Sequence, residues 1–362
     1  MIAMNNQLNP DKLRIVEGSH TTIRQLLIFK KIIYTIDEGN AIHQLLQDEL
    51  IKWSIDLELI NPVYYFSKGK LSNNGKPTTA FKHYLEFLVN LGLIFKTNNI
   101  YTNTKLARLF LSLNTEKINS TLNKFDLAFF LYVLVYFDGD FIFLIFNILE
   151  ENNGISQKEI QAKFETFYVQ RLSTKFMYTN NPIAKREIQH KLFIAQNRWA
   201  NIASYAEHLL VPRLEWLSKI GLINIDKWGN HTNYRINRRG KTFIKQIPKI
   251  EDAIYDINDI WIWDNFFSQI LKSKTNINMN TLEFKVNNYL NESFKVLSNN
   301  RRLDLQICLL YIAFKLYNNE NYCINLSTIL SIIKLNPTVE DRAYIINHSS
   351  RPTDSFISYR LL

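Results

Sequence analysis

The sequence predicts a mainly α protein in which small β-hairpins follow repeated helices, with a helical region towards the C-terminal end. Three observations predict it: a ten-residue string that occurs twice, a polar hairpin pattern after each copy, and long apolar segments at helical spacing. The string Leu85-Glu86-Phe87-Leu88-Val89-Asn90-Leu91-Gly92-Leu93-Ile94 returns as Leu214-Glu215-Trp216-Leu217-Ser218-Lys219-Ile220-Gly221-Leu222-Ile223. In both copies Gly stands where a helix ends by turning left-handed, and the Leu-Ile after it starts an extended segment. Polar stretches from Lys96 to Thr104 and from Asp226 to Arg238 then read as hairpins. Each leads into a further helix, carrying Lys105, Leu106 and Arg108 in the first copy and Lys241, Phe243 and Lys245 in the second.

Met1 to Gly18 reads as a polar arm. Thr21 or Thr22 is expected to cap a helix through Ile36, with Ile23, Leu26 and Leu27 on an apolar face and Lys30-Lys31 on a basic one. A second helix is expected from Gly39 to Ser54, then a loop from Pro62 to Pro77 with turn signals Lys68-Gly69 and Asn73-Asn74-Gly75. Thr78 or Thr79 opens the helix that ends at Gly92. The most apolar stretch, Leu127 to Leu149, is broken by Asp138-Gly139-Asp140. It reads as two buried helices joined by a tight carboxylate-capped turn, each too short to span a bilayer. Ser156-Gln157-Lys158-Glu159 has capping-box spacing. Pro182 to Asn197 is a basic helix, and Pro212 is expected at the start of the next, where a missing amide costs nothing. Past Lys249 the chain turns acidic and Trp-rich up to Asp264. An apolar helix then covers Leu303 to Leu316, and Asn325-Leu326-Ser327-Thr328 opens another. The expected division is an arm (1–18), a first unit (19–115), an apolar helical hairpin (116–151), a second unit (152–248) and a helical C-terminal domain (249–362).

The chain has 362 residues, 46% of them apolar, which is ample for real cores. Its 43 Lys and Arg exceed 33 Asp and Glu, a formal +10 that favours a polyanionic partner; a Lys-rich composition without such a partner is the alternative. Cys308 and Cys323 are too few for a disulfide framework and lack metal-ligand spacing, so they read as buried thiols in a reducing cytoplasm. Met1 to His20 has no apolar core of a leader peptide. The seven His residues are scattered, and there is no Gly-rich phosphate loop, GxSxG or HExxH. No cofactor or metal is expected. Asp264 followed by Glu283-Phe284-Lys285 matches a metal-dependent nuclease skeleton in spacing alone, so these three are catalytic candidates without a supporting context.

The helix, strand, turn, strand tail of both copies resembles the winged helix-turn-helix DNA-binding superfamily, and Ile155-Ser156 with Glu159-Ile160 resembles the opening of its positioning helix. The resemblance covers about residues 19 to 248 and implies tandem winged-helix domains with small hairpin wings that bind double-stranded DNA. The second wing, Trp228 to Arg235, is then the leading interface. Asn230 and His231 lie at its tip, and Arg235, Arg238, Arg239 and Lys241 form a positive edge for phosphates or the minor groove. On the basic helix, Lys185, Arg186, Gln189, Lys191, Asn197 and Arg198 are the candidates for the major groove, where Arg pairs with guanine and Asn or Gln with adenine. In the first unit Lys76 and Lys82, with Lys68, Lys70 and His83, suit phosphate contact. Arrays of winged helices look like the recognition halves of Type IIS restriction enzymes and like accessory subunits of restriction or anti-phage systems. The expected function is a non-catalytic recognition subunit of a prokaryotic defence, restriction or mobile-element system. The alternatives are a restriction endonuclease, and a winged-helix interaction scaffold or transcription regulator. Expected partners are double-stranded DNA, other subunits of a defence complex and a second copy of the chain, with no membrane.

Overall fold

A computed structural model describes residues 13–60, 69–114, 121–151, 154–197, 202–228, 231–247, 262–271, 273–274, 277–339, 341–349 and 354–362. The protein is mainly helical with small antiparallel sheets. It divides into two compact units, one of Asp11–Ala107 with Glu116–Ala253, the other of Arg108–Thr115 with Ile254–Leu362.

In the larger unit α1 (Leu26–Asp37) and α2 (His43–Ile60) precede a short hairpin, β1 (Ser72–Asn73) with β2 (Lys76–Pro77). Then come α3 (Thr79–Asn90), the hairpin β3 (Ile94–Thr97) and β4 (Ile100–Asn103), and α4 (Lys105–Leu113), whose residues from Arg108 on belong to the smaller unit. After α5 (Lys124–Glu150) three helices, a hairpin and a further helix come again: β5 (Ile155–Ser156), α6 (Gln157–Tyr178), α7 (Pro182–Asn197), α8 (Ile202–Ile220), the hairpin β6 (Ile223–Trp228) and β7 (His231–Ile236), and α9 (Arg238–Ile244). β5 pairs with β7, giving a three-stranded sheet in the order β5-β7-β6, and its counterpart in the first copy is the bridge Ile42 to Ile100.

The repeated string builds the same local structure twice. Gly92 and Gly221 take φ of 67° and 83°, and the next amides, Leu93 and Leu222, donate back to Leu88 and Leu217. The side chains of Thr104 and Asn237 each donate to the carbonyl of the glycine, at 2.9 and 3.0 Å. Each also caps the following helix, accepting from the amides of Ala107 and Gly240. Phe87 and Trp216 hold equivalent, fully buried positions, and their rings meet with centroids 5.0 Å apart. Phe29 of α1 touches both, so the two copies share one aromatic core.

The apolar segment is one helix, α5, with a kink at Asp138 (φ −123°, ψ 19°), rather than two helices joined by a turn. By length and composition it could cross a bilayer, yet 89% of its most apolar stretch is buried inside the protein. The arm causes the break. Arg14 donates its guanidinium to the Tyr136 carbonyl and accepts the Asp140 amide at 3.0 Å, so it replaces the helix's own bonds. The two carboxylates cap no turn. Asp138 accepts from the Val16 amide (2.8 Å) and from Arg213 Nε and Nη2 (2.5 and 3.0 Å). Asp140 accepts from the Arg14 amide (2.8 Å), Arg171 (2.8 Å) and Lys175 (2.5 Å). The arm is therefore not wholly polar or loose: Leu13, Arg14 and Val16 are buried.

Other boundaries differ from expectation for local reasons. α1 starts at Leu26, since Thr22 bonds His83 and Arg24 Nε donates to the Thr21 carbonyl. Its basic face is absent: Lys30 and Lys31 are buried, Lys30 on Asp126 at 2.8 Å and Lys31 on Glu49 at 3.4 Å. α2 begins later and runs longer than Gly39 to Ser54. Pro212 sits inside α8, which places Arg213 opposite Asp138. The expected stop at Pro248 lies outside the described residues.

The smaller unit is not purely helical. A π-helical turn (Ile262–Phe267) runs into Ser268–Ile270, followed by α10 (Met279–Leu297), β8 (Arg302–Asp304), α11 (Leu305–Glu320) and α12 (Leu326–Leu335). β9 (Thr338–Val339), β10 (Arg342–Asn347) and β11 (Phe356–Leu361) complete an antiparallel sheet in the order β8-β11-β10-β9. Trp263 packs against Phe314 (4.7 Å) and donates to the Ile324 carbonyl. Cys308 is buried beside Ser293 and Cys323 is partly buried; burial pushes both thiols up to about 12.

Acid should loosen the larger unit. Burial alone would raise Asp140, but Lys175 and Arg171 override it and hold the carboxyl well below the usual range. Its stabilisation is therefore complete above the unfolded carboxylate pKa and is lost as pH falls below that value. His20 stacks between His83 (4.0 Å) and His208 (4.4 Å). Burial and these two rings push it down to about 4, against a weaker pull from Glu207. The unfolded chain then takes the proton first, so His20's contribution is lost as pH falls from its ordinary 6.5 through about 4. The melting temperature is expected to fall as pH drops from 6.5 to about 4 and to fall further below that, and His20→Asn should flatten the first of these falls. An unchanged profile in the variant would show that the histidine stack carries none of it.

Candidate nucleic-acid interface

The hairpin β6–β7 is the part of the second copy that leaves the core. Strand alternation puts Ile223, Ile225, Tyr234 and Ile236 on one face, where Ile223 and Tyr234 are buried. The other face carries Asn224, Asp226 and Trp228 opposite Arg235, Asn233 and His231. All of these except the half-buried Asp226 are exposed. Arg235 lies 3.5 Å from Asp226, a half-exposed pair that leaves its guanidinium reachable from solvent. Arg238 and Lys241 are exposed on α9, joined by Lys245. Arg239 is turned inward instead and donates to the Ile220 carbonyl at 3.2 Å, so it braces the α8 turn. Asn230 lies outside the described residues.

α7 divides its candidates. Arg186, Gln189 and Asn197 are exposed and recur at helical spacing, with Phe193 between them on the same face. Asn197 donates back to the Phe193 carbonyl. Lys185 sits 4.9 Å over the Phe176 ring, and Lys191 bonds Glu17, so both are engaged within the protein. Arg198 lies outside the described residues. α8, which directly precedes the hairpin, is buried on every side from Leu210 to Leu214 and offers no groove-facing stripe there. In the first copy Lys76 is exposed on β2, while Lys82 pairs with Glu86 (3.6 Å) and Lys70 with Glu58 (2.7 Å). Its hairpin exposes Phe95, Lys96 and Ile100, a less basic surface than the second. Lys68 lies outside the described residues.

The catalytic candidates have other bonds. Asp264 accepts from the Leu326 amide (2.6 Å) and the Ser327 hydroxyl (2.6 Å), which ties it to the first turn of α12. Burial raises its pKa, and these bonds oppose the rise. Lys285 pairs with Glu320 at 2.6 Å, and Glu283 is half-buried on α10.

Sequence reading missed the group that holds the second copy in place. Arg213 is wholly buried, and its Nε, Nη1 and Nη2 donate to Asp138, Ser19 Oγ, and the Leu209 and Val16 carbonyls. Its signal was an Arg inside the otherwise apolar run Leu209-Leu210-Val211-Pro212-Arg213-Leu214. The network fixes α8, and α8 ends in the turn that launches β6.

No protein-family model matches the chain, and no curated protein matches it. Among solved structures it is similar to the restriction endonuclease FokI, at 13% identity and a TM-score of 0.31, over 81% of this chain and 49% of that one. The chain thus spans about half the length of that endonuclease.

Proposed function

We propose that the protein binds double-stranded DNA through two winged-helix units, 19–115 and 152–248, with the second hairpin and α9 as the main phosphate contact and α7 as the reading helix. The observation that carries this is the outward face of β6–β7, where Arg235, His231 and Asn233 are presented beside the exposed Arg238 and Lys241. The winged-helix reading is supported by the parallel element order of the two copies and by the sheet order β5-β7-β6. The biological role that fits is a recognition subunit of a prokaryotic defence, restriction or mobile-element system in the cytoplasm, working with catalytic partners or as a homo-oligomer. A restriction endonuclease is the second reading. Its candidate residues Asp264 and Lys285 would first have to leave their bonds to α12 and Glu320.

The test is affinity for duplex DNA against salt. Arg235→Ala, Arg238→Ala and Lys241→Ala should each weaken binding about equally on all sequences and reduce the salt slope by roughly one. Arg186→Ala and Gln189→Ala should relax sequence preference by roughly 1–3 kcal/mol. Arg239→Ala should act on stability rather than on the slope, because its guanidinium braces a turn. Binding unchanged in every one of these variants would leave the basic surface as a solvated face and favour the scaffold. Magnesium-dependent cleavage lost in Asp264→Asn would favour the nuclease.

A further inference from the structure

Trp228 stands on the solvated face of β6–β7 with 78% of its surface exposed, whereas Trp216 and Trp263 are fully buried. It pairs across the hairpin with His231, at the end farthest from the buried Ile223. Trp228 lies five residue steps along the strand from Ile223, a reach of roughly 17 Å, about twice the depth of either DNA groove. An indole on this face contributes nothing to the core, because strand alternation points it away from Tyr234 and Ile223. Its neighbours on the face are polar or charged: His231, Asn233, and Arg235 with its partner Asp226, while the exposed Lys227 stands on the opposite face of the same strand. A flat aromatic ring set among such groups at the tip of a projecting hairpin matches nucleic-acid bases better than a protein surface. The cations hold phosphates and the ring covers the face of a base.

We infer that Trp228 is a wedge that stacks on a base of the bound duplex; this rests on the DNA-binding reading above. Within a regular duplex the base faces are already stacked, so entry requires one step to open. Where a base is unpaired or a step is already open, that cost is absent and the stacking is gained in full. The substrate class that follows is duplex DNA with a locally unstacked site, bound more tightly than regular duplex.

The experiment compares the full chain on a fully paired duplex and on the same duplex carrying one unpaired adenine. Wild type should prefer the second by about tenfold, with quenching of the solvent-exposed indole emission. Trp228→Ala should bind both duplexes alike and lose that quenching, Trp228→Phe should keep most of the preference, and neither should shift the melting temperature. A preference retained in Trp228→Ala, or indole emission unchanged at saturation, overturns the wedge and leaves DNA binding standing. Wild type that binds neither duplex overturns both.

Discussion

Arg213→Met is expected to cost about 3–5 kcal/mol of folding stability, because it leaves the buried Asp138 without its partner. The guanidinium satisfies both Asp138 oxygens and also Ser19, Val16 and Leu209, so one substitution takes the donor away from acceptors on the arm, α5 and α8 together. The loss should depend on pH in a particular direction. Burial already raises the Asp138 pKa, and Arg213 is the strongest influence opposing that rise. Without Arg213 the folded carboxyl titrates well above its unfolded value, so the variant regains stability as pH falls and loses it as pH rises. Denaturant titrations at pH 8 and pH 5 should therefore show a smaller gap from wild type at pH 5. A second change, Asp138→Leu on top of Arg213→Met, should recover part of the loss, since a buried pair replaced by apolar groups is often tolerated. A cost below about 1 kcal/mol for Arg213→Met, within the range of an exposed pair, would mean that the network does not hold α8.

Trp216→Ala and Phe87→Ala are each expected to cost about 3–5 kcal/mol, since both side chains are fully buried and leave a cavity. Because the two rings meet at 5.0 Å and share Phe29, the losses should not add: a double-mutant cycle should give a coupling of about 0.5–1.5 kcal/mol. Trp216 Nε1 is buried with no hydrogen-bond partner among the described residues. Trp216→Phe removes that unsatisfied donor, so it should cost much less than alanine, whereas a tryptophan held for its N–H would not tolerate phenylalanine. Strict additivity would contradict the shared core, since it requires the two copies to be packed independently.

The repeat was legible because its signal is local. A helical run closed by glycine and followed by Leu-Ile specifies the same turn wherever it occurs, and Thr78, Ser156 and Asn237 cap their helices from adjacent sequence. The hairpins and α7 followed for the same reason. What was hidden depends on contacts distant in the chain. Asp138-Gly139-Asp140 has the composition of a turn, and only the arm, Arg213, Arg171 and Lys175 convert it into a kink in a continuous helix. Lys30-Lys31 has the composition of a solvated face, and the buried Asp126 draws Lys30 inward. The C-terminal sheet joins β8 to β11 across more than fifty residues, a pairing with no local turn to announce it. In the candidate interface, charge picked out a stretch of basic residues but not which of them face solvent. Arg235, Arg238 and Arg239 are near neighbours in sequence, yet Arg239 serves the α8 turn and the other two face solvent.

The proposed contact surface for DNA is the second hairpin with α9. Amide hydrogen exchange of the full chain, with and without saturating duplex at low salt, tests it by location. Exchange should slow in His231–Ile236 and Arg238–Ile244, less along α7 and not at all in β8–β11. A duplex that binds while protecting only the C-terminal unit, or one that leaves exchange unchanged throughout the chain, would contradict it.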